Sequence, residues 1–152
     1  MKYVKLPEDK QHKLPFYLAM EEYLAEHCGE GLLFTWQVES TVIFGWNQVM
    51  LVEVNVDYCE QHHIQYYRRK SGGGCVYADK GNIMVSYITP KVTSDVAFNE
   101  FLNRLADVLR KLGFDAVKTE HNDILIGGRK VSCNALFQKE KASIVHGTLM
   151  YD

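Results

Sequence analysis

The sequence has no apolar stretch approaching the roughly 18 uninterrupted residues that suggest a membrane-spanning helix. Its opening segment, MKYVKLPEDKQHKLPF, also lacks the apolar core of about 7–15 residues that marks a secretory leader. Neither sign of charge is in large excess. The formal net charge is −2, so no global field draws the chain to nucleic acid or to an anionic membrane, and any basic site must be local. Cys28, Cys59, Cys75 and Cys133 are widely and irregularly spaced, with no CxxC pair. That argues against a zinc site and against a disulfide framework, and suits a reducing compartment. Each cysteine reads first as a small buried hydrophobe. There is no internal repeat, low-complexity run or linker. These absences give the expectation of a soluble, cytoplasmic protein with no membrane and no nucleic-acid partner.

What is present fits one domain of 152 residues, 47% hydrophobic and 24% charged. A chain of that length buries roughly 68–70% of the surface it exposes when unfolded, so it needs no staples. PFYLAMEEYLAEHCG has helical spacing at Phe16, Ala19, Met20, Tyr23 and Leu24, with Pro15 suited to the first turn and Gly29 to the end. LLFTWQVE and TVIFGWN read as strands, and NVDYCEQHH as a short helix capped by Asn55. Strands IQYYRR, GCVYA and NIMVSYIT follow. A second strong helix runs from about Ser94 to Leu112. Its apolar face is Phe98, Phe101, Leu102, Leu105, Val108, Leu109 and Leu112, and Gly113 is its stop. Strands AVKT, DILI, RKVS and SIVHGTLMY complete the chain, the last suited to a sheet edge. Hairpins mixed with two major helices predict an α+β fold with a mixed, largely antiparallel sheet and packed helices.

Two stretches concentrate chemistry. In HNDILIGGRKVSCNA, Gly127-Gly128 between strand-like runs signals a two-residue hairpin turn. That register pairs Leu125 with Lys130 and Ile126 with Arg129. Asp123 and Lys130 become diagonal neighbours on one face, with Cβ atoms roughly 7–8 Å apart and Ser132 beside Asp123. Alternation sends Ile124, Ile126, Val131 and Cys133 to the other face. The pair reads either as a site or as an ordinary solvated ion pair. RRKSGGGCVYADKGN carries three basic residues into a serine and three glycines. It matches neither GxxxxGK[ST] nor GxGxxG, since Tyr77 occupies the last position of the latter. Glycines nevertheless let backbone N–H groups face an anion and let a ligand lie on bare backbone. Arg68, Arg69 and Lys70 stand ready with charge.

Those two blocks, followed by HGTLM and preceded by a helix with Glu21 and Glu22 and by FTWQVESTVIFGWNQ, resemble the lipoate–protein ligase A family. That family belongs with the biotin and lipoate ligases and the octanoyltransferases. The resemblance implies a biotin/lipoate ligase-like fold in which lipoate, ATP and Mg²⁺ yield lipoyl-adenylate and pyrophosphate. The lipoyl group then passes to one lysine of an acceptor, either a lipoyl domain of a 2-oxoacid dehydrogenase complex or the H protein of glycine cleavage. It assigns Lys130 to the α-phosphate and the lipoyl carboxyl oxygen, and Asp123, with Asn122, to orienting Lys130 or holding Mg²⁺. It places Gly72, Gly73 and Gly74 against the acyl chain and adenylate, with Arg69, Ser71, Tyr77 and Ser132 around the ligand. His146, Gly147 and Thr148 match the strand that lines the pocket, although His146 reads equally as a core histidine.

The chain departs from that pattern at three points. Ala78 stands where many relatives have histidine, and Cys133 where glycine is usual. Family catalytic domains also continue well past the HGT strand, so residues 1–152 read as the N-terminal portion of one such domain, completed by a missing C-terminal portion or by a partner chain. Two rivals follow. An octanoyltransferase of the same fold needs a nucleophilic cysteine, but KTEH upstream of Asn122 has none and Cys133 is expected to point away. A non-catalytic half would bind only lipoate or acceptor.

Overall fold

The computed structural model describes residues 1–6, 10–27 and 29–151; Cys28, one of the four cysteines read from the sequence, lies outside the described residues. A five-stranded sheet forms the centre, in the order β1 (Lys2–Tyr3), β2 (Leu32–Trp36), β6 (Asn82–Pro90), β11 (Ala142–Met150), β10 (Ser132–Gln138). Within it only β1–β2 is parallel. β6 and β11 are packed on both faces, which is why NIMVSYIT and SIVHGTLMY read as near-continuous apolar runs. β11 pairs with β6 on one side and β10 on the other, so it is interior and not the edge strand expected.

Helix α1 (Leu14–His27) packs with one face of this sheet, over Phe34, Trp36, Met84, Ile88 and Ile144. Helix α4 (Ser94–Lys111) packs with the other, over Val85, Tyr87 and Val145. Alternation along β6 and β11 therefore sends Ser86, His146 and Thr148 towards α1, and Gly147 towards Phe101 of α4.

The expected stripe of α1 is corrected. Phe16, Ala19 and Tyr23 are exposed, while Leu14, Tyr17, Glu21 and Ala25 are buried. The buried stripe is centred on a carboxylate, and hydrophobic periodicity cannot see a buried charge. In α4, Val108 and Leu112 are exposed, and the small residues Ala97 and Ala106 take their place against the sheet. Gly113, at φ +92°, ends the helix as expected.

Two small sheets flank the centre. One has the order β4 (Gln65–Arg68), β3 (Thr41–Phe44), β5 (Cys75–Ala78). Between β3 and β4 lie α2 (Met50–Glu53), which the sequence did not suggest, and α3 (Val56–Gln61), whose first turn is capped by Asn55 accepting from Tyr58 N at 3.0 Å. The other small sheet has the order β7 (Ala116–Lys118), β8 (Ile124–Ile126), β9 (Arg129–Lys130). The β8–β9 register is the one read from Gly127-Gly128, and both glycines have positive φ, +56° and +76°, as a two-residue type I′ turn demands. Past Lys130 the chain leaves this sheet and joins the central one at Ser132, so alternation counted through the hairpin does not carry into β10.

Candidate active site

The glycine run follows β4 and is held from beneath by its own basic residues. Arg69 is buried, and its guanidinium donates to Ile43 O at 3.0 Å, Gly72 O at 2.7 Å and Gly74 O at 2.8 Å. Arg68 lies over the Phe44 ring and donates to Trp46 O at 2.7 Å and Gln48 O at 2.6 Å. Lys70 pairs with Glu22 at 2.8 Å. The expected reserve of positive charge is thus spent largely on shaping the loop. Arginine suits this task because one planar fork can fix several carbonyls at once. Burial lowers the Arg69 pKa from its ordinary value, and the Cys133 and Cys75 thiols, when ionised, act the other way. Arg69 Nε has no hydrogen-bond partner.

Gly45, just after β3, passes under the run. A Cβ there would lie 2.0 Å from Gly73 O. Gly73 has φ +91°, and a Cβ on it would meet Arg69 Nη2 at 2.9 Å, whereas Gly72 and Gly74 have open space. Within the run and directly beneath it, Gly73 and Gly45 are therefore glycine for steric reasons, and Gly72 and Gly74 are not.

Ser71 and His146 join the loop to the sheet and to α1. Ser71 Oγ is 2.7 Å from His146 Nε2, and His146 Nδ1 is 3.1 Å from Glu21 Oε2. Glu21 Oε1 accepts from Ser86 Oγ at 2.5 Å, and Ser86 Oγ accepts from Trp36 Nε1 at 2.8 Å. All five side chains are buried. A carboxylate can only accept, so Nδ1 carries a proton towards Glu21, and in the neutral ring Nε2 then accepts from the Ser71 hydroxyl. His146 is both a satisfied buried histidine and a lining residue, so the two readings open in the sequence coincide.

These elements enclose a cavity of about 140 Å³. Leu14 and Leu18 come from α1, Trp36 and Met84 from the central sheet, and Ile43 and Val76 from the small one. Arg69, Gly73, Gly74 and Cys75 arrive from the glycine run, Cys133, Asn134 and Ala135 from β10, and His146 and Thr148 from β11. Cys133 thus faces the cavity, contrary to expectation, because the strand switches sheets at Ser132. Of the remaining cysteines, Cys75 is half-buried on the same wall and Cys59 is buried in the core as expected. Ala78 is fully buried in the apolar core.

The charged hairpin adjoins this wall through Asn134. Asn134 Nδ2 donates to Asn122 O at 2.6 Å and to Ser132 Oγ at 3.2 Å, and Ser132 Oγ also accepts from Ile124 N at 2.8 Å. Asn122 adopts φ +60° to make the corner. Beyond it Lys130 Nζ lies 2.9 Å from Asp123 Oδ2, closer than strand geometry alone requires, with the lysine side chain 49% exposed. Asn134 Oδ1, against Gly147, is buried without a partner. Among the described residues the other buried side-chain atom without a partner is Arg69 Nε; both residues line this cavity, but Asn134 Oδ1 lies on the Gly147 face, turned towards α4.

Asp123 offers a metal ion a single carboxylate. Among the described residues no group of three or more His, Cys, Asp or Glu side chains is placed to hold one. Tyr77 is not brought to the cavity: it is half-exposed and its hydroxyl donates to Ser40 Oγ at 2.9 Å. Gly72, Ser71, Asn122, Asp123, Lys130, Ser132 and Gly147 are not among the residues that line the cavity. Reading the sequence missed Glu21 as a site residue, and missed Trp36, Gly45 and Asn134. The one available signal was a charge inside an otherwise apolar helical stripe.

The family profile described as the lipoyl protein ligase A/B catalytic domain matches residues 14–152. The lipoate-protein ligase LplJ of Bacillus subtilis is 38% identical over 138 residues, which cover 89% of this chain and 42% of that relative. This chain thus spans less than half the length of that relative. A crystal structure of lipoate-protein ligase A bound with ATP superposes with a TM-score of 0.87 at 25% identity, covering 98% of this chain and 66% of the other. A putative lipoate protein ligase from T. acidophilum with bound lipoic acid gives 0.85 at 26% identity, covering 98% of this chain and 67% of the other. No helix among the described residues is long and apolar enough to cross a membrane. With the glycine run and the HGT strand contributing to the walls of one cavity, and the catalytic-domain profile matching residues 14–152, the chain belongs to the lipoyl protein ligase A/B catalytic-domain family.

Proposed function

We propose that this chain carries the lipoate-activating site of a cytoplasmic lipoate–protein ligase. ATP and lipoate form lipoyl-AMP and pyrophosphate, and the lipoyl group passes to a lysine of a lipoyl domain of a 2-oxoacid dehydrogenase complex or of the glycine cleavage H protein. The observation that carries this reading is an apolar cavity whose lining residue Asn134 is hydrogen-bonded to Asn122, the neighbour in sequence of the Asp123–Lys130 pair. A carboxylate attacking an α-phosphate brings two anions together, and a preorganised cation between them lowers the barrier. Lys130 is that cation, and Asp123 holds its ammonium in place. The acyl chain lies against Leu14, Trp36, Ile43 and Met84. The glycine run, fixed by Arg69, presents bare backbone to the adenylate, and Ser71, His146 and Thr148 fix the pocket wall. Mg²⁺ fits as an ion arriving with the nucleotide: one protein carboxylate plus phosphate oxygens is a common arrangement for it, Asp123 would supply that carboxylate, and the bound ion would offset phosphate charge.

The test is the intact mass of a purified apo lipoyl domain after incubation with this chain, lipoate, ATP and Mg²⁺. A lipoyl mass gain that requires ATP and is lost in Lys130→Ala supports the reading. Lipoyl-AMP formation without transfer would restrict it to activation.

A second reading rests on Cys133 facing the cavity. There the thiol takes an acyl group from acyl carrier protein as a thioester and passes it on without ATP. Transfer from octanoyl carrier protein in the absence of ATP, with a hydroxylamine-labile adduct on Cys133, would select it.

A further inference from the structure

Two cavities meet at α1. The first is the one described above. The second, about 200 Å³, lies between α1 and the glycine run, with Ala19, Glu22, Tyr67, Lys70, Ser71 and Phe137 in its walls. Among the described residues, only Leu18 and His146 face both.

These two residues are held differently. His146 is bonded at both ring nitrogens, to Glu21 at 3.1 Å and to Ser71 at 2.7 Å, and is buried. Leu18 presents only an aliphatic side chain, half-buried, with nothing but packing to fix its rotamer. The partition is therefore one fixed ring and one replaceable apolar side chain. The charges around the second cavity are already paired. Lys70 and Glu22 bond each other at 2.8 Å, and Arg68 is committed to backbone carbonyls. Tyr67 and Phe137 contribute aromatic surface. Such a space costs an alkyl chain little to enter.

We propose that Leu18 is a specificity-determining residue: backed by His146, it closes the apolar end of the first cavity and so limits the length of the carboxylic acid the site accepts. The proposal rests on reading that cavity as the acyl site.

The test is titration of the chain, by calorimetry, with straight saturated carboxylic acids from hexanoate to tetradecanoate. In Leu18→Ala the affinity optimum moves to longer acids, by up to about fourfold per additional methylene buried. In Leu18→Ala/Ala19→Phe the second cavity is refilled and the original preference returns. In Leu18→Phe, which thickens the partition and removes no packing, the optimum moves to shorter acids. Parallel weakening at every length would mark Leu18 as merely structural and overturn the proposal, as would an unchanged length profile in both Leu18→Ala and Leu18→Phe. If the unmodified chain binds no acid of any length, the acyl-site reading itself fails. Octanoate binding with an unmoved optimum in the variants rejects the partition alone.

Discussion

Replacing Gly45 with alanine places a methyl carbon 2.0 Å from the Gly73 carbonyl oxygen, 3.1 Å from its carbonyl carbon and 3.3 Å from the Gly72 carbonyl carbon. All three are backbone atoms, so no side chain can swing aside. Relief requires the glycine run to move by about an ångström, and Arg69 opposes that through bonds of 2.7 and 2.8 Å to the Gly72 and Gly74 carbonyls. Hydrogen bonds to a charged donor are worth about 1.5–3 kcal/mol each. Forced overpacking of this kind costs about 1–3 kcal/mol. For a chain of this size each kcal/mol lowers Tm by roughly 2–4 °C. Gly73→Ala imposes a left-handed φ on alanine and crowds Arg69, at about 1–3 kcal/mol. Gly72→Ala and Gly74→Ala meet open space at ordinary φ and stay within about 0.5 kcal/mol of the parent. Thermal and urea unfolding of the four variants should therefore separate Gly45 and Gly73 from Gly72 and Gly74. A Gly45→Ala protein as stable as Gly72→Ala would refute the close-approach reasoning.

Lys130→Ala removes a half-exposed ion pair, so urea unfolding should change by about 0–1 kcal/mol. Pyrophosphate release with lipoate and ATP should instead fall by about 10²–10³-fold, and a large stability loss with little change in rate would contradict the assignment. Glu21→Leu strips the acceptor from Ser86 and His146, at about 1–3 kcal/mol for each group left unpaired. Glu21→Gln should cost less, because the His146 tautomer can invert and donate to Ser71; equal losses in the two variants would reject the network. Burial raises the Cys75 pKa above its ordinary value, with Glu53 adding to it and Arg69 opposing it. The neutral thiol is therefore favoured in the folded state. The associated stability is present below the ordinary cysteine range and is lost as pH rises from that range through the raised folded-state value. Mapped alkylation of Cys75 at neutral pH should lag that of a free cysteine, and equal rates would contradict this.

The parts that were legible in the sequence obey local rules. Gly127-Gly128 dictates its own hairpin register, Asn55 caps its own helix, and Gly113 stops α4. Asp123 and Lys130 also meet through that local turn, as the register implies. What was not legible depends on partners far along the chain. Glu21 is buried because His146 and Ser86 lie 125 and 65 residues away and satisfy it. Its burial rotates the inward stripe of α1 away from Phe16 and Tyr23. Cys133 turns to the cavity because β9 and β10 belong to different sheets, and parity cannot count across such a switch. Gly45 looks like an ordinary strand end until the backbone of Gly73 arrives above it. Tyr77 sits in the glycine block by sequence, but its strand turns it outward to Ser40.

The most direct test of the account is a crystal structure of this chain grown with lipoic acid. The expected result is the acyl chain between Leu14, Trp36, Ile43 and Met84, with the carboxylate directed to the Asn134 side and Lys130. Lipoic acid bound elsewhere, or lying in the cavity with its carboxylate turned towards Leu18, would contradict the assignment of Lys130 and the proposed chemistry with it.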